Sequence, residues 1–312
     1  MAHYLHFYSG AREEMRDTVL RVLPYWNESH SNYGFVLGMC TFGFEETGDF
    51  IKAERYARDA ININELDIWA IHAMAHVFEM QQRYKDGIEW IDSLEPHWSQ
   101  ANNFLFHLVW HRSLYEIELG NFDVALKSYD EQLISDLESG FNLDLCNAAS
   151  ILWRLIMHDV DIGDRWPRLA EISRDHTNDR DLAFFTLHYL MSLLGAGDHS
   201  SSQAMLRTIQ SWSSDNSTQG SVLANSGLLL SRALRKIHDG NFSEAIGDLM
   251  SARYSVDEIG GSKAQRDVFE MLLLYCIRKS GDRKLAETLY AERTNKNLAQ
   301  HGGGAGTPIF WR

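Results

Sequence analysis

The chain has 312 residues, 45% of them hydrophobic, and a formal net charge of −14. No basic patch relieves that charge, which excludes a phosphate-backbone binder, and no apolar run approaches the ~20 residues of a membrane span. The three cysteines, Cys40, Cys146 and Cys276, are odd in number and far apart, which argues against a disulfide framework or a CxxC metal site. With no signal-type start, a cytoplasmic setting is expected.

Only 4 prolines in a chain rich in Ala, Leu, Glu and Met predict nearly all helix. In chain order, the first recurring pattern is Gly48-Asp49-Phe50 with Ala53 and Ala57 behind it. Gly ends one helix in a left-handed conformation, the aromatic staples the turn, and the small residues let two helices approach closely. Residues 69–80 follow as a helix that sets His72, His76 and Glu79 within an arc of about 60°, apart from an apolar face of Ile71, Met74, Ala75 and Phe78. A weaker turn copy, Gln82-Arg83-Tyr84 with Gly87, comes next. His107, Trp110 and His111 lie on the next helix, closed by Gly120-Asn121-Phe122 with Ala125 and Tyr129.

Residues 141–170 break the rhythm and carry Asp144, Arg154 and Arg165; Arg154 and Arg165 are expected to pair with Asp144, Asp161 or Asp164. Cys146 reads as a buried free thiol rather than a nucleophile. Phe184 and His188 precede Gly197-Asp198-His199, and further copies stand at Gly240-Asn241-Phe242 with Ala245 and at Gly281-Asp282-Arg283 with Ala286. The copies recur at intervals of 34, 38, 43 and 41 residues, with one double interval between Gly120 and Gly197. They place the ends of the first helices near Thr47, Gln81, Leu119, Gly195, Asp239 and Ser280.

The fold class expected is all-α: a right-handed α-solenoid of antiparallel helix pairs with tetratricopeptide-like repeats. Residues 1–297 should form a single helical-repeat domain with an irregular insertion at about 141–170, and 298–312 a Gly-rich flexible tail. Residues 34–195 resemble the tetratricopeptide repeat protein 38 family, through Phe35-Val-Leu-Gly-Met39, Phe42-Gly-Phe-Glu-Glu-Thr-Gly-Asp49, Trp69 through Met80, His107 to His111, Leu152-Trp-Arg-Leu155 and Val160-Asp-Ile-Gly-Asp-Arg-Trp166. The resemblance implies the helical-repeat fold and a shortened or N-terminally truncated form. Three positions depart from the family pattern: Leu108 where Asn is usual, Asn147 near Asp144 where a second acid is usual, and Thr186 before His188 where Asp is usual.

Counting back from each turn puts five histidines, His72, His76, His107, His111 and His188, toward the groove side as candidate catalytic residues, with Glu79, Trp110, Asp144, Arg154 and Arg165 as candidate binding residues. Imidazole serves as base, acid or ligand near neutral pH. A lone helix histidine is usually a satisfied core residue; five on one side of an array read as a pocket. The sequence requires no cofactor. A divalent metal, if one is held, falls to His72, His76, His107 and His111, whose one-turn spacings let paired imidazoles reach one ion. The expected function is an enzyme-like pocket that takes a small, anionic organic molecule through His acid/base chemistry, metal-assisted or not. The alternative is a non-catalytic scaffold for a protein or peptide partner, which is usually lined by Lys, Arg and Asn. The expected partner is a small-molecule ligand, with a homodimer or a protein partner as the other occupant, and neither nucleic acid nor membrane.

Overall fold

The computed structural model describes residues 2–102, 104–135, 137 and 140–298. The tail expected at 298–312 lies outside the described residues from 299 onward. Every regular element among the described residues is helical, so the fold is all-α. No described helix is long and apolar enough to cross a membrane.

Among the described residues the chain divides into two compact units, one of 2–128 with 293–298 and the other Tyr129–Glu292. Unit 1 contains α1 (Ala2–Tyr8), α2 (Arg12–Val22), α3 (Tyr33–Glu46), α4 (Phe50–Ile63), α5 (Ile68–Met80), α6 (Tyr84–Ser93), α7 (Glu95–Trp98), α8 (Phe104–Leu119) and α9 (Phe122–Ser128). Unit 2 contains α10 (Asn142–Met157), α11 (Trp166–Asp175), α12 (Ala183–Gly195), α13 (His199–Trp212), α14 (Thr218–Val222), α15 (Leu228–His238), α16 (Phe242–Ala252) and α17 (Lys263–Ser280), and α18 (Arg283–Leu298) begins in it.

The helices end where the turn chemistry puts them. α3, α5, α8, α12, α15 and α17 stop at Glu46, Met80, Leu119, Gly195, His238 and Ser280, each within one residue of its expected end. The turn residues Gly48, Gln82, Gly120, Gly197, Gly240 and Gly281 all take positive φ, between 58° and 84°. At most of these turns the next N–H reaches back to the carbonyl five residues earlier, as from Asp49 to Phe44, Arg83 to Phe78 and Asn121 to Glu116, at 2.8–2.9 Å. This bond satisfies a carbonyl that the end of the helix would otherwise orphan.

Residues 141–170 hide a further copy of the same turn. α10 is a regular helix within them, and the break falls at Asp159, whose φ is +59°. Val160 N–H reaches back to Leu155 O at 3.1 Å, the same five-residue return. Asp159 therefore stands where five of the other six copies carry glycine and one carries Gln82, and the double interval resolves into steps of 39 and 38 residues.

In unit 1, α5 packs against α3, α4, α6 and α8. Asp67 caps its start, accepting the N–H groups of Trp69 and Ala70 at 3.1 Å. Burial nevertheless raises the Asp67 carboxyl to about 6, against the lowering by those two bonds. Surrounded in this way, α5 buries Ala70 through Phe78, His72 and His76 included. Its register against α8 is fixed by the Tyr115 hydroxyl, which donates to Ala75 O at 2.6 Å. Gly87 of α6 makes room for that ring; a Cβ there would come within 2.6 Å of it.

Candidate functional site

The candidate site is built from two helices of unit 1. One turn of α5 separates His72 from His76, and one turn of α8 separates His107 from His111. All four are buried. One nitrogen from each imidazole lies within 4.8 Å of the corresponding nitrogens of the other three. Ring centroids are 4.3 Å apart for His72–His76, 4.6 Å for His76–His111, and 4.8 Å for both His72–His107 and His107–His111. The spacings predicted the two pairs, and the fold brings them into one cluster.

Carboxylates hold two of the rings. His111 Nδ1–H donates to Glu79 Oε2 at 3.2 Å. Glu45 Oε2, fully buried on α3, approaches His76 Nδ1 at the same distance, obliquely rather than along a hydrogen-bond line, with Glu46 Oε1 at 3.9 Å. A carboxylate at Nδ1 favours the proton there and leaves the lone pair on Nε2. The tautomers, assigned from these contacts, then make His76 Nε2 the acceptor of the 2.8 Å bond from His72 Nε2. His72 Nδ1 has no hydrogen-bond partner. Burial, helped by neighbouring His76 and His107, holds the His72 pKa well below its ordinary value, so this ring is neutral at pH 7.

Aromatic rings wall the cluster. Trp110 stacks on His107 at 5.0 Å and 11°. Phe42 lies 5.6–5.9 Å from His76 and His72, and Phe104 4.9 Å from His72. His76 and His111 are wholly inaccessible, whereas His72 and His107 keep 4% and 3% exposure. The side of the cluster nearest solvent is therefore toward the N-terminal ends of α5 and α8. There Trp69, 39% exposed, packs on Phe104 at 4.3 Å.

The remaining predicted residues belong to unit 2. His188 is buried on α12, its Nδ1 bonded to Phe184 O at 2.8 Å and its ring against Phe184 and Phe269. Burial first, then the Arg154 charge, brings it to about 4, against the raising by its bond to Phe184 O. Asp144 and Arg154 are buried on α10, and Arg154 donates to the Ser150 hydroxyl and to Ala264 O. Arg165 is half-buried and forms a two-pronged pair with Asp130 at 2.8 and 2.6 Å, where Asp144, Asp161 or Asp164 was expected. Asp130 precedes the 141–170 segment, beyond the local window the sequence suggested. The Cys146 thiol is held well above its usual range by burial and then by Asp144, so it is no thiolate.

Glu45 and Glu46 are the residues that sequence reasoning missed. Their signal was present: two adjacent acids close α3, a helix with no other charged residue, just before its Gly48 turn. Chemically the four imidazoles can shuttle protons, with Glu79 and Glu45 orienting two of them, or offer four nitrogen donors to one cation. No protein-family model matches the chain.

Proposed function

We propose that unit 1 is a histidine-based centre that binds and transforms a small organic molecule, on a cytoplasmic helical-repeat protein. The observation that carries this reading is the gathering of four buried imidazoles from α5 and α8, two of them facing carboxylates. Such clusters are costly to bury: each polar nitrogen must find a partner inside. A purely structural core would place Leu or Met on these faces. The aromatic side at Trp69 and Phe104 suits an organic ligand better than a peptide backbone. The seven left-handed turns at steps of 34–43 residues support the resemblance to the tetratricopeptide repeat protein 38 family. A peptide clamp, the usual work of such repeats, is the competing reading.

A thermal-shift screen of the intact chain against small organic acids and neutral metabolites, repeated in the presence of a chelator, tests the reading. The expected result is a compound class that raises Tm for the wild type and not for His107→Gln or His76→Gln, both with unchanged helical circular dichroism. Stabilisation that survives both substitutions, or that comes only from peptides, overturns it.

A further inference from the structure

The donor set of the cluster has a chemistry more specific than acid–base work. It contains four imidazoles and no carboxylate among the four: His72, His76, His107 and His111. Hard cations such as Mg2+ and Ca2+ take oxygen ligands, so an all-nitrogen set selects against them and for zinc-type transition ions. The geometry is close to what such an ion needs. With metal–nitrogen bonds of about 2.0–2.1 Å, the donors of a tetrahedral centre stand roughly 3.3 Å apart. Here the four donors already lie within 4.8 Å of one another, with His72 Nε2 and His76 Nε2 at 2.8 Å.

The outer contacts fit as well. A metal-bound imidazole normally gives its other N–H to a carboxylate, which fixes the tautomer and strengthens the donor nitrogen. Glu79 stands at His111 Nδ1 and Glu45 at His76 Nδ1, both at 3.2 Å. Glu79 does so by a hydrogen bond and Glu45 by the nearness of its charge, and both favour the Nδ1 proton that frees Nε2.

We propose that His72, His76, His107 and His111 bind one divalent transition-metal ion of the zinc type, with Glu79 and Glu45 as outer carboxylates that position His111 and His76. The proposal rests on the same cluster as the functional reading above and names its cofactor. The ion would supply Lewis acidity to a molecule entering past Trp69 and Phe104, with the protein fixing the donor geometry.

The experiment is metal titration of the intact chain after chelator treatment and dialysis, with no organic ligand present. Co2+ serves as the spectroscopic probe, Zn2+ as competitor and Mg2+ as control. The expected result is one equivalent of Co2+ with the intense visible bands of a four-coordinate site, displaced by Zn2+ and untouched by Mg2+. The bands should vanish in His76→Gln and in His107→Gln, and persist in His188→Gln, which alters unit 2 alone. Glu79→Gln should keep the 1:1 stoichiometry and weaken affinity about 10-fold, the size usual for an outer-shell carboxylate; this variant retains all four donors, so it reads the site even if a histidine variant unfolds. Six-coordinate Co2+ spectra only, or binding equal in wild type and His107→Gln, overturns the proposal. Because no organic ligand is used, failure here leaves chelator-resistant ligand binding by the imidazoles standing. Intact cobalt bands with no organic ligand bound would overturn the functional reading alone.

Discussion

His188 and His72 are both buried imidazoles whose pKa is lowered, and the sign of the consequence can be worked out. A lowered folded pKa means that the unfolded chain takes up a proton first, so stability falls as pH drops below the unfolded value of 6.5. For His188 the loss continues to about 4 and amounts to roughly 3 kcal/mol. Urea unfolding between pH 7 and 4 should therefore show a smaller acid loss in His188→Gln than in the wild type. An equal loss in both would assign acid sensitivity elsewhere. Gln82 and Asp159 give a second contrast at this scale. Both hold left-handed backbone, which costs a non-glycine residue roughly 1 kcal/mol. Gln82→Gly should raise Tm. Asp159→Gly should gain less, because Asp159 also accepts from Arg278 at 2.8 Å and Lys279 at 2.6 Å. Thermal denaturation of the two variants side by side decides it.

Among elements, the contact that matters most for the cluster is α8 on α5. Tyr115→Phe removes the second bond accepted by Ala75 O, whose helical N–H partner remains, at about 0.5–1.5 kcal/mol. Gly87→Ala places a methyl within 2.6 Å of the same ring and should cost roughly 1–3 kcal/mol by overpacking. Chemical denaturation measures both, and histidine NMR shifts should move in each, since the imidazoles of the two helices lose their common register. Unchanged shifts would show that the cluster is held independently of Tyr115. How far the sequence disclosed these elements depended on local chemistry. Five glycine turns and the Gln82-Arg83-Tyr84 copy announced six helix ends, whereas the end of α10 went unrecognised because Asp159 fills the glycine place and no Gly-polar-aromatic run follows it. The pairing of His72 with His76 and of His107 with His111 followed from helical period alone. Their meeting, and the arrival of Glu45 from α3, depended on helix packing between segments about 30 residues apart, which periodicity does not encode.

For the whole molecule, the acidic balance and the all-α class were legible from composition, and the two compact units were not, since no linker of Pro, Ser or Gly marks residue 128. Five candidate histidines read as one set because each stood at a corresponding place before a turn. The fold allots four to unit 1 and His188 to unit 2. Another consequence follows from where the cluster falls along the chain. Its four imidazoles and three carboxylates all lie between Glu45 and His111, and unit 2 begins at Tyr129. Synthesis proceeds from the N-terminus, and domains generally fold as units in that order. Every donor of the centre has thus left the ribosome's catalytic core before the first residue of unit 2 is joined to the chain. An ion captured once these segments emerge would reward the packing of α3, α5 and α8 before the 293–298 part of unit 1 has been made.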